Sequence, residues 1–210
     1  LAVPLWIAML LGQVSLSLTV SPVLWHAHEM LFGFAIAVIV GFLLTAVRAW
    51  TGLDTPRGPF LGALALLWLA ARIAALSGPY VIYAVLDVAL LPVVAVVLLR
   101  VLLRAKNTRN LPLAGILVLL ALVNLAFHLS VLGLIDWPAL HILFAALALI
   151  VMIECVIGGR VIPFFTTSAT PGLKLALSPR FDHAVLAVTA LALLAWVTRA
   201  QGPWSVAVLA

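Results

Sequence analysis

Charge is what this sequence has least of. Of its 210 residues only 8% are charged, while 67% are hydrophobic, and the mean hydropathy is +1.35. A soluble domain carries about 25% charged and about 45–50% apolar residues. There is therefore too little polar surface to coat a water-soluble body, and a disordered chain is excluded on the same ground. Cysteine is nearly as scarce: a single Cys155 excludes an internal disulfide and any Cys-rich metal site. A Gly-rich phosphate loop, a Ser-His-Asp arrangement and a CxxC pair are all missing. So is the polar–apolar alternation of a membrane barrel strand, which leaves helices as the spanning structure.

What is present is a series of apolar runs at residues 1–20, 25–47, 60–76, 80–99, 111–133, 139–162 and 183–198. A span needs about 20 residues. The expected fold is thus all-α, a polytopic transmembrane helix bundle with about seven spanning helices. The first run is the most polar, carrying Gln13, Ser15, Ser17 and Thr19, and residues 163–182 form the longest polar stretch. The chain opens at Leu1 without a methionine and closes at residues 205–210 inside another apolar run. Residues 1–210 are accordingly expected to be a single transmembrane helical domain cut from a longer protein. The first 20 residues lack the basic start and cleavage site of a signal peptide.

The net charge of +5 comes from eleven Lys and Arg against six Asp and Glu. In a membrane protein such an excess sets topology and does not point to nucleic acid. Arg48, Arg57, Arg100, Arg104, Lys106, Arg109, Arg160, Lys174 and Arg180 follow helices two, four and six, whereas only Arg72 and Arg199 lie at the other ends. The even-numbered exits are therefore expected in the cytoplasm. The basic loop 100–109 reads as a topology anchor against anionic lipid.

That topology sorts the five histidines. His26 and His28 open helix two at its outer end, and His141 opens helix six there. His128 lies roughly 8 Å below the outer end of helix five at 1.5 Å per residue. Four of five thus share one thin outer layer, with His183 on the other side. Imidazole suits transition metals and haem iron, and ionisable groups inside membranes are rare without function. His26, His28, His128 and His141 are the metal candidates, with His128, the deepest, first as an axial ligand. On a helix His28 points about 200° from His26, whereas Glu29 and Met30 share the face of His26 at i+3 and i+4. Glu29 is suited to orienting a ligating imidazole through its second N–H. The competing reading makes these histidines headgroup-level caps beside Trp25.

Asn124, one turn from His128, either hydrogen-bonds that ring or ties helix five to a neighbour. Arg72 and Asp87 flank the outer turn 77–79 at roughly 9 and 12 Å depth. They are expected to pair, because an unpaired charge there is costly; the functional alternative places Arg72 on a haem propionate. Glu154 has no assignable partner, Cys155 reads as packing, and Gly158-Gly159 permit close helix approach or a break before Pro163.

Several segments together resemble the NnrS family. They are Trp25-His26-Ala27-His28-Glu29-Met30-Leu31-Phe32-Gly33-Phe34, then Gly41-Phe42-Leu43-Leu44-Thr45-Ala46-Val47 and Trp50-Thr51-Gly52. Arg109-Asn110-Leu111-Pro112, Asn124-Leu125-Ala126-Phe127-His128 and Gly158-Gly159-Arg160-Val161-Ile162-Pro163-Phe164-Phe165-Thr166 follow in the same order. The resemblance covers helices two to six, about two thirds of the chain. It implies a bacterial polytopic inner-membrane protein containing haem and copper and linked to nitric oxide stress and denitrification. It also implies that His26, His28, Glu29, Met30 and His128 carry the family motifs. The cofactor-binding candidates are thus His26, His28 and His128, with Arg72 added from its depth and charge. The family's C-terminal half, with further histidines, has no counterpart here.

The expected function is therefore membrane haem and copper binding that protects against nitric oxide or its iron adducts. Binding or sensing is expected ahead of turnover, with a nitric oxide-consuming oxidoreductase as the enzymic version. The rival from another class is a small-solute or metal transporter using Glu29, Arg72, Asp87 and Glu154 as intramembrane stations. It calls for repeated helices with interrupted centres, and Gly33, Gly41 and Pro92 form no such repeat. A purely structural subunit is hardest to reconcile with the histidines.

Overall fold

The computed structural model describes residues 2–170, 172–173 and 178–199, all helix or connecting turn and loop, with no strand. Leu1, Lys174 and the apolar run 205–210 lie outside the described residues.

Helix α1 (Ala2–Leu10) is short. Gly12, at φ 69°, turns the chain out of it, and residues 14–18, with their alternating serines, take no regular structure. The first apolar run therefore supplies a nine-residue helix rather than a span. The other six runs all form helices long and apolar enough to cross a membrane.

Helix α2 (Pro22–Thr51) starts where Ser21 accepts a hydrogen bond from the Leu24 N–H and Pro22 fills the first turn. Both are favoured start signals. Its Glu29–Ala35 segment is wound as a π-helix. At its far end Gly52 adopts φ 70° and returns its N–H to the Arg48 carbonyl, a left-handed cap that a Cβ would disfavour. Next come α3 (Pro59–Ser77) and, across the tight Gly78-Pro79 turn, α4 (Tyr80–Arg104). A 3₁₀ turn at Thr108–Asn110 leads into α5 (Leu111–Val131), then α6 (Ala139–Ala169) and α7 (Pro179–Arg199).

Two compact units divide at residue 146. In the first, α4 is the central helix, packed against α2, α3 and α5. Leu43, Val94, Leu117 and Leu120 are wholly enclosed, whereas Leu66 and Ile73 of α3 face outward, as lipid-facing positions do. Helices in lipid gain little hydrophobic energy from association, so close packing and interhelical polar contacts must hold them.

In the second unit α6 does not stop near Ile162 but continues through Pro163 to Ala169. The hydroxyls of Thr166, Thr167 and Ser168 donate to carbonyls one turn back, at Ile162, Pro163 and Phe164. This satisfies the polar side chains within the helix. Glu154 is exposed and Cys155 half-buried on the same helix.

Candidate metal centre

Four helices of the first unit each direct polar side chains to one point. On α4, Tyr80, Tyr83 and Asp87 stand at i, i+3 and i+7, one face of the helix. On α5, Asn124 and His128 stand at i and i+4. Helix α2 supplies His28 and Glu29, and α3 supplies Arg72. His28, His128 and Asn124 are each 1% exposed, with Glu29 and Asp87 also buried.

Asp87 is the hub. Its Oδ1 pairs with Arg72 Nη2. Its Oδ2 accepts from Asn124 Nδ2 at 2.7 Å and from His128 Nε2 at 3.1 Å, and His28 Nε2 lies 3.6 Å from the same oxygen. Arg72 Nη1 donates to Glu29 Oε1 at 2.8 Å, and its guanidinium lies 5.8 Å from the centre of the Tyr83 ring, within cation–π range. Two carboxylates thus share one guanidinium. With neutral imidazoles the cluster carries one net negative charge.

The hydrogen-bond pattern assigns the imidazole protons. An ionised carboxylate only accepts, so His128 donates from Nε2 and its Nδ1 accepts from the Tyr80 hydroxyl at 2.9 Å. Asn124 turns its amide nitrogen to Asp87, which leaves Oδ1 facing His28 Nε2 at 3.0 Å. His28 therefore also donates from Nε2 and accepts at Nδ1 from the Tyr83 hydroxyl, at 2.8 Å. That hydroxyl lies 3.3 Å from Glu29 Oε1 as well.

The π-helical turn fits α2 into this cluster. The Trp68 indole N–H donates to the Gly33 carbonyl at 2.8 Å, tying α3 to the turn. A Cβ on Gly33 would stand 2.8 Å from Arg72 Nη1 and 2.9 Å from Glu29 Oε2. Glycine is what allows the guanidinium to pass across the helix here. Single π turns of this kind are frequent at functional sites.

His28, Asp87 and His128 each offer one ligand atom, and these atoms all lie within 4.8 Å of one another. Two imidazole nitrogens and a carboxylate oxygen can bind a transition-metal ion such as copper or zinc. Among the described residues this is the one such group. A macrocycle does not fit the same place. Every ring nitrogen of His28 and His128 already has a protein partner at hydrogen-bond distance. The His28 ring also lies between Phe32 and Phe127, with centroids 4.9 and 4.3 Å away.

Of the four outer-layer histidines, the structure brings together His28 and His128, whose centroids are 5.3 Å apart. His26 points away from His28 and stacks on Trp6 of α1, 4.1 Å between centroids and 9° from parallel. His141 sits in the first turn of α6 beside Phe144. Both stand outside the ligand group, and each has a buried Nδ1 without a hydrogen-bond partner. Met30 is half-buried. Glu29, expected on the face of His26, instead reaches Arg72 and Tyr83. Asn124 bonds His28 and Asp87 rather than His128, and so ties α5 to both α2 and α4. Arg72 and Asp87 pair, as charges at matching depth should.

Sequence reasoning passed over Tyr80 and Tyr83. They are the chain's only two tyrosines, and each holds one of the two clustered histidines. Their spacing to Asp87 was the signal available.

No curated protein and no solved structure matches this chain. The family model for NnrS protein does match it, over residues 1–210, beyond the two thirds carried by the motifs alone. With six helices among the described residues long and apolar enough to cross a membrane, the chain is a multi-pass membrane protein and belongs to the NnrS family.

Proposed function

We propose that this chain is a bacterial inner-membrane protein of the nitric oxide response that holds copper at His28, Asp87 and His128, and binds haem through other histidines. The convergence of two imidazoles and a carboxylate in a buried, net-negative cluster carries the reading. Divalent copper ranks highest among first-row metals for such donors. A cation there also offsets the charge that Arg72 leaves uncompensated.

The surrounding residues have defined tasks. If a bound ion displaced the Nε2 protons, each imidazole would carry its proton on Nδ1 and donate to a tyrosine oxygen. The Tyr83 hydroxyl would then donate to Glu29 instead of to His28. Tyr80 and Tyr83 thereby orient the rings, the role that outer partners of ligating histidines generally play. Arg72 holds the Asp87 and Glu29 carboxylates in place.

For haem, the buried imidazole nitrogens lacking a hydrogen-bond partner among the described residues are His26 Nδ1 and His141 Nδ1, which makes those two residues the axial candidates. Bound haem or copper would supply one-electron chemistry and a coordination position for nitric oxide or its iron adducts.

The test is the metal content and visible spectrum of the purified full-length protein. Copper is expected to fall on replacing His28 and His128 with Ala, and a Soret band to fall on replacing His26 and His141. A protein without a Soret band, whose copper is unchanged in the His28 and His128 variants, overturns the reading. Nitric oxide turnover with an electron donor separates the oxidoreductase version from binding or sensing.

A further inference from the structure

A cavity of about 350 Å3 lies on the outer side of the cluster. One wall is the irregular segment 15–20, another is the end of α3 from Ala74 to Gly78, and its inner boundary includes Tyr80 and Tyr83. Those are the same two tyrosines whose hydroxyls sit on His128 Nδ1 and His28 Nδ1, at 2.9 and 2.8 Å. Behind them lie the fully buried rings of His28 and His128.

The lining is polar without being charged. Hydroxyls come from Ser15, Ser17, Thr19, Ser77 and the two tyrosines, and no Asp, Glu, Lys or Arg contributes. Residues 14–18 form no helix, so their backbone amides and carbonyls add hydrogen-bonding capacity. Trp25, another lining residue, keeps a buried indole N–H with no protein partner. Polar, roomy sites of this kind hold water. At the inner end lie Glu29, Asp87 and Arg72, two carboxylates against one guanidinium, whose net negative charge draws a cation inward.

We propose that this cavity is the port through which a metal cation enters and leaves the His28–Asp87–His128 group, with Tyr80 and Tyr83 as its inner door. The proposal rests on that group being a metal site, as argued above. A buried site needs an entry path. A cation cannot cross the apolar flanks of α3 and α5, because desolvation in hydrocarbon is too costly. An uncharged diatomic gas needs no such port, so the hydroxyl-lined cavity matches the ion. The absence of a fixed charge makes the cavity a passage, and the final binding site lies beyond the tyrosines.

The test compares full-length protein with Ala75→Trp and Ser17→Trp, which fill the cavity from opposite walls without touching the cluster. Copper ion alone is supplied, and its uptake, and its removal by a water-soluble chelator, are followed over time. Both variants are expected to exchange copper roughly tenfold or more slowly while reaching the same final stoichiometry, as binding slowed by a required conformational change does. Unchanged exchange rates in both variants overturn the proposal.

Wild-type protein that takes up no copper overturns the metal reading, and what then stands or falls separately is the cavity as a path for cations to the cluster. That path is decided by Tyr83→Cys in a Cys155→Ala background, treated with a small cationic thiol reagent. Labelling that Ala75→Trp slows roughly tenfold supports a cation port. Absent labelling, or labelling indifferent to the filled cavity, overturns it.

Discussion

The Asp87 carboxylate and the Arg72 guanidinium form an ion pair between neighbouring antiparallel helices, and the polar contacts of Glu29, Asn124 and His128 lead back to it. Replacing Asp87 with Leu leaves Arg72 with Glu29 alone, strips His128 Nε2 of its acceptor and leaves Asn124 only the long bond to the backbone carbonyl of residue 87. Removing one partner of a buried pair costs about 3–5 kcal/mol. Thermal unfolding of the detergent-solubilised variant is expected to show a loss of that order. An unchanged midpoint would mean the pair does not tie α3 to α4.

Tyr83→Phe keeps the ring that meets His28 edge-on and lies beneath Arg72 but removes the hydroxyl between His28 Nδ1 and Glu29. Outer partners of ligating histidines are typically worth 10–100-fold in metal affinity, so roughly that loss is expected. A lost buried hydrogen bond costs stability of only about 1–3 kcal/mol. Chelator competition reads the first quantity and unfolding the second. A stability loss with full copper affinity would make Tyr83 a packing residue only.

Gly33→Ala places a methyl group where Arg72 Nη1 and Glu29 Oε2 now stand. Both side chains must give way, and overpacking of this kind costs about 1–3 kcal/mol. Copper affinity should fall alongside stability, since Arg72 also positions Asp87. Wild-type behaviour in both measurements would show that the pair yields freely.

His26→Ala separates the histidines by role. His26 stacks on Trp6 outside the ligand group, so copper at His28, Asp87 and His128 is expected to persist while the haem spectrum changes. Loss of copper in this variant would move His26 into the metal group.

The bundle was legible because composition and run length are one-dimensional properties, and six of the seven runs became apolar helices of spanning length. Pairing of Arg72 with Asp87 was legible from depth alone, because the turn at Gly78-Pro79 is short enough to fix the register of both helices. The partner of Asn124 was not. Helix spacing places Asn124 beside its own His128, yet the side chain reaches across to α2 and α4, which only packing decides. The tyrosines were passed over for a related reason: a phenol inside a membrane costs less than a charge and so stands out less. Nor does the alternation of residues reveal the π turn, since nothing in Glu29–Ala35 departs from an ordinary helical sequence.

That turn sets the phase of α2. A π winding accommodates one residue more than an α-helix covering the same length, so the chain before residue 29 is rotated relative to the chain after residue 35. Deleting one residue from the turn and letting it relax to α would swing His28 by about 100° and shift it by about 1.5 Å. The buried core of α2 from Ile36 onward would keep its neighbours, while the imidazole would leave Asp87 and point elsewhere. The centre thus depends on a single surplus residue in the helix, a dependence that counting side chains alone would not disclose.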